Sequence, residues 1–79
     1  MDYQNFIVRD PQICGGQPVI KGTRVTLRTI LASLAEGAST EEILADFPTL
    51  TDEGVRAVIA FAAISAEEDL PLQSAPAIL

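Results

Sequence analysis

The apolar positions change period along the chain, and each change marks an element. "NFIVRDP" (5–11) alternates and then breaks at Pro11, the pattern of a short strand ending in a turn. Gly15, Gly16 and Pro18 punctuate the chain ahead of a second short strand at Val19-Ile20. Lys21-Gly22 then separates that pair from Thr23-Arg24-Val25. A short Gly-containing link between β-branched positions predicts a tight hairpin, because Gly takes positive φ without steric cost. From Leu27 the period is helical: Leu27, Ile30, Leu31, Leu34 and Ala35 occupy i, i+3, i+4, i+7 and i+8 of one face. Thr26 is placed to cap this first helix and Gly37 to close it in the left-handed conformation.

Ser39 and Glu42 form a capping-box pattern, and Glu41 and Glu42 suit the positive end of the helix dipole. This second helix is short, with Ile43, Leu44 and Phe47 as its apolar face before Pro48 stops it. Thr51, followed by Asp52 and Glu53, opens a third helix expected to reach about Glu67. Val55, Val58, Ile59, Ala62 and Ala63 are its predicted stripe, and Phe61 and Ile64 widen the apolar surface. A helix apolar over most of its circumference is buried on two sides. The other helices cover one side, and a twin subunit is expected on the other, through Phe61 and Ile64. "DLPLQSAPAIL" has two prolines and no helical period, so residues 1–69 read as the domain and 70–79 as a flexible tail. Leu70 and Leu72 are the tail's candidate partner contacts.

Composition narrows the function. The chain has 79 residues, 48% of them hydrophobic, more than a domain this small can hide within itself, which again favours self-association. The single cysteine, Cys14, has no partner for an internal disulfide, so a reducing cytoplasm is the expected compartment. No stretch approaches the roughly 20 apolar residues of a membrane helix, and the first residues lack a secretory signal pattern. No membrane partner is expected. With no histidine and one cysteine, a single chain assembles no zinc or haem site, and Cys14 has no histidine base. The acidic residues at helix starts stand where capping wants them. "GGQPVIKGT" is no phosphate loop, because no Gly-Lys-Ser/Thr opens the helix. Neither an enzyme nor a cofactor is expected.

Charge divides the chain. The net charge is -6, yet residues 1–38 hold four basic and three acidic residues, while 39–79 hold only Arg56 against eight acidic ones. Such a balance opposes indiscriminate nucleic-acid binding, which depends on neutralising several phosphates. It leaves open binding through one basic face, since Lys21, Arg24 and Arg28 cluster within eight residues.

"RDPQICGGQPVIKGTRVTLRTIL" followed by "LAEGASTEEILADFPTLTDEGVRAVIAFAA" resembles the DUF433 family of small prokaryotic proteins. The likeness runs through a D-P-x-I/V-x-x-G-x-P-x-I/V-x-G-T-R segment, a helix ending in Gly, an S-x-E-E-I/L start, a P-x-L-T turn and an Ala-rich last helix. It covers roughly residues 5 to 66. The resemblance implies a mainly α, three-helix helix-turn-helix domain, homeodomain-like or winged-helix-like, preceded by a short β hairpin and usually paired as a dimer. Some members are antitoxins of type II toxin–antitoxin pairs, encoded beside a PIN-like ribonuclease toxin, and many have no assigned role. The expectation is therefore an antitoxin-like regulator, homodimeric, that binds operator DNA and neutralises such a toxin. The alternative is a dimeric protein-binding module without DNA binding. In the first case Lys21, Arg24 and Arg28 touch phosphates, with Thr23 and Thr26 adding hydroxyl contacts. Arg56 is then the one base reader near the start of the third helix, where Asp52 and Glu53 repel phosphate. In the second case the same turn is architecture, with Gly16, Pro18, Gly22 and Thr23 shaping it.

Overall fold

The computed structural model describes residues 2–67. A single 3-10 turn, Tyr3–Asn5, opens the chain, capped by Asp2, whose carboxylate accepts from the Gln4 N–H at 3.2 Å. β1 (Ile7–Val8) pairs antiparallel with β2 (Val19–Ile20), Ile7 opposite Ile20 and Val8 opposite Val19. Two turns join them. Asp10-Pro11-Gln12-Ile13 closes with the Ile13 N–H on the Asp10 carbonyl at 2.9 Å. Pro11 brings its fixed φ to the second position, and the Asp10 carboxylate accepts from the Gln12 N–H. Cys14, Gly15 and Gly16 then all take positive φ (49°, 65° and 85°) and bring the chain round to β2.

β2 is held from both sides. Opposite β1, Val19 bridges Thr26, the Ile20 N–H donates to the Val25 carbonyl at 3.1 Å, and the Leu27 N–H donates to that of Pro18. The hairpin predicted at Lys21-Gly22 thus exists as a turn with one bridge. The regular ladder of β2 is with β1, which two-residue strands are too short to announce by alternation. Among the described residues the architecture is mainly helical: three helices preceded by a short two-stranded antiparallel hairpin.

The helix limits follow local chemistry. α1 (Leu27–Ala35) is capped by Thr26, whose Oγ1 accepts from the Thr29 N–H. Gly37, at φ 96°, ends it: its N–H reaches the Leu34 carbonyl and that of Ala38 reaches Ser33, both at 3.0 Å, the paired bonds of a left-handed closure. α2 (Thr40–Asp46) carries the complete capping box, Ser39 Oγ accepting from the Glu42 N–H and Glu42 Oε1 accepting from the Ser39 N–H. α3 (Asp52–Glu67) begins where Thr51 Oγ1 accepts from the Gly54 N–H at 3.0 Å.

Ile20, Leu27, Ile30, Ile43, Leu50, Val55 and Val58 form one core to which β2 and every helix contribute. On α3 the buried residues are Gly54, Val55, Ala57 and Val58, whereas Ile59 is 46% exposed and Ala63 is exposed. The predicted stripe therefore sits about one residue too far along the chain. Periodicity weights large side chains, but small ones set the closest approach here. A Cβ on Gly54 would lie 3.9 Å from Ile20 Cδ1 and 3.3 Å from the capping Thr51 Oγ1. No helix among the described residues is long and apolar enough to cross a membrane.

Candidate functional site

The turn after β2 presents the basic cluster. The Thr23 N–H donates to the Ile20 carbonyl at 3.0 Å, and Gly22 between them sits at φ 81°. Thr23 Oγ1 also donates to the Ile20 carbonyl at 2.8 Å and accepts from the Val25 N–H at 3.1 Å. Its only hydroxyl proton is committed to the main chain, so Thr23 locks the turn. Thr26 is likewise occupied as a cap, its Oγ1 also 2.9 Å from Thr29 Oγ1. The Cys14 Sγ donates to the Arg24 carbonyl at 3.3 Å and ties the Cys-Gly-Gly excursion to the far side of the turn. Cys14 is half-buried. Lys21 and Arg24 flank the turn and Arg28 stands on the first turn of α1. All three are exposed, and none makes an ion pair among the described residues.

The helix-turn-helix of α2 and α3 has the opposite character. Asp52 and Glu53 are exposed at the start of α3, and Arg56 Nε lies 2.9 Å from Asp52 Oδ2 one turn away. Both partners are more than half exposed, so the pair contributes only about 0.3–0.5 kcal/mol. It nonetheless holds Arg56 beside a carboxylate. The positions from which a recognition helix reads bases are acidic here. Glu42 titrates below the ordinary carboxylate range, first because it accepts the Ser39 backbone N–H and then because of its bond with the Ser39 side chain. That shift belongs to a helix cap. The described residues hold no group of three or more side chains suited to a metal ion.

The apolar interface residues separate. Phe61 is half-buried, packs on the core and meets Tyr3 edge to face, with ring centroids 5.4 Å apart and planes at 77°. Ile64 is 40% exposed. Leu70 and Leu72 lie outside the described residues. What the pattern of large residues did not reveal is a groove of about 490 Å³ between the start of α1 and the last two turns of α3. Pro18, Leu27, Leu31, Phe61 and Ala62 line it, with Arg28 beside them. The legible signal was Ala62, Ser65 and Ala66 at i, i+3 and i+4, a helix face too small to fill the space beside it.

Known proteins place this arrangement in a family. A crystal structure of a DUF433 member from Anabaena variabilis ATCC 29413 superposes with a TM-score of 0.74 at 37% identity, covering 82% of this chain and 64% of that one. An uncharacterized protein, y4eO, of Sinorhizobium fredii (strain NBRC 101917 / NGR234) is 40% identical over 53 residues, which are 67% of this chain. The match spans only 24% of that relative's length. The family model described as "Protein of unknown function (DUF433)" matches residues 7–62, from β1 well into α3. The chain belongs to the DUF433 family.

Proposed function

We propose that this chain is an antitoxin-like regulator acting in the cytoplasm, a homodimer that contacts operator DNA and neutralises a PIN-like ribonuclease toxin. The observation that supports DNA contact is the trio of exposed cations, Lys21, Arg24 and Arg28, on a turn braced by Thr23, Gly22 and Cys14. A fixed turn holds its charges in register with a phosphate backbone at little entropic cost. The contact runs through this turn and the start of α1, because the start of α3 is acidic and Arg56 is paired. The acidic second half of the chain suits a ribonuclease whose RNA-binding surface is basic.

The test is titration against duplex DNA from upstream of the chain's own gene, at low and near-physiological salt, with scrambled duplex as control. Specific binding that weakens with salt is expected. Lys21→Ala with Arg24→Ala should flatten the salt slope by about one unit per lost contact while leaving the thermal transition in place. The pair avoids Arg28, which also borders the groove. The acidic start of α3 favours the second reading, a dimeric protein-binding module, and absence of binding at low salt would select it.

A further inference from the structure

The side of α3 away from the core carries a face of its own. Gly54, Val55, Ala57 and Val58 turn inward. Arg56, Ile59, Ala63, Ile64 and Glu67 are exposed, and Ala60 is half-buried. Arg56, Ala60, Ala63 and Glu67 follow one another at four, three and four residues, which keeps them in one line along the helix and is the spacing of a two-helix seam. Ile59 and Ile64 flank that line, one on each side, at about 100° per residue.

This face matches itself end for end. About the midpoint between Phe61 and Ala62, Ala60 mirrors Ala63, Ile59 mirrors Ile64, and Arg56 mirrors Glu67 with the opposite charge. Self-complementarity under a half-turn is what a twofold pair of identical chains requires. Laid antiparallel on a second α3, Ala60 meets the partner's Ala63, and side chains this small let the helix axes approach to about 8 Å. Arg56 then meets the partner's Glu67, and the same pair recurs at the other end of the seam. The two Ile64 side chains come together on one flank and the two Ile59 on the other. A parallel arrangement sets Arg56 against the partner's Arg56 and Glu67 against the partner's Glu67, a repulsion at both ends. Arg56 is equipped for two carboxylates: its Nε takes Asp52 of its own chain, and the guanidinium carries further donors. Glu67 makes no ion pair among the described residues.

We infer that a second copy of this chain covers this face, α3 against α3 in antiparallel register, with Ala60 on the partner's Ala63 and Arg56 on the partner's Glu67. The inference rests on the homodimer reading and deepens it by naming the seam, its direction and its register. Phe61 and the groove lie outside the seam. The contact is one helix wide and about 17 Å long. That is smaller than the roughly 800 Å² a side of a standard interface, so the pair should dissociate on dilution.

Sedimentation equilibrium of the full chain over a concentration series tests it, on the wild type, Arg56→Glu, Glu67→Arg and the two substitutions together. A reversible wild-type dimer is expected. Each single reversal should weaken it about tenfold, because two attractive pairs become two repulsive ones, and the double reversal should restore it. Every exchanged position is exposed, so each variant should keep a cooperative thermal transition when dilute. A wild-type dimer that neither single reversal weakens overturns this seam and leaves the homodimer reading standing. Single reversals that weaken the dimer without rescue by the double overturn the antiparallel register. A wild type that stays monomeric throughout the series overturns the seam and the homodimer reading together.

Discussion

Gly22 sits at φ 81°, and a Cβ built there meets no atom within 4 Å, so a substitution at this position costs backbone energy alone. Gly22→Ala should lower unfolding stability by about 1–2 kcal/mol, the left-handed penalty of an L-residue, in a urea titration. Cys14 already holds such a conformation, at φ 49°, with its thiol bonded to the Arg24 carbonyl. No residue pattern announces that, because the strain is held by a contact ten residues away. Glu42 and Ser39 are the opposite case, a partnership written in neighbouring letters and found as written. The folded-state pKa of Glu42 lies below its unfolded value. Its contribution is therefore fully present above the unfolded pKa and is lost as pH falls through the folded one. Glu42→Gln should flatten that acid limb, seen as a smaller drop in the urea midpoint on acidification, with little change near neutral pH.

Element limits were legible because each is set within a few residues: Thr26, Ser39 and Thr51 as caps, Gly37 as closure, Pro48 as a stop. Which face an element buries was only partly legible, since that depends on how near its neighbour comes. Gly54 and Ala57 are buried on α3, and Ile59, the bulkier residue, is left outside. Pairing of the strands was least legible, as β1 and β2 meet across ten intervening residues and a run of left-handed backbone. Two truncations separate the observed stripe from the one periodicity suggests. Ile43→Ala, at a side chain 1% exposed in the core, should cost about 2–5 kcal/mol through lost burial and the cavity it leaves. In single chains, Ile59→Ala should stay within about 0.5 kcal/mol. Equal losses in a pair of denaturant curves would mean that Ile59 is covered in solution, by a second molecule or by a segment of the chain.

For the whole molecule, the question is what covers the apolar surface that three short helices leave over. Phe61 is a poor probe of a dimer, because it packs on the core and on Tyr3, so a charge there would disturb the fold itself. Ile64 is the sharper one, being exposed on the last turns of α3 and outside the core cluster. If α3 carries the seam between two copies, Ile64→Glu places two like charges near the symmetry axis and removes two aliphatic side chains from contact. Light scattering should then give half the wild-type mass. The wild-type thermal midpoint should rise with protein concentration, because a dimer that forms only from folded chains is stabilised by mass action, and that of the variant should not. A monomeric wild type, or a variant that remains dimeric, removes α3 from the seam. The groove and the basic turn would then act from a single chain, and three cations are too few to hold DNA through phosphate contacts alone at physiological salt. Oligomeric state therefore bears directly on the DNA reading, since a dimer doubles the three cations that one turn presents.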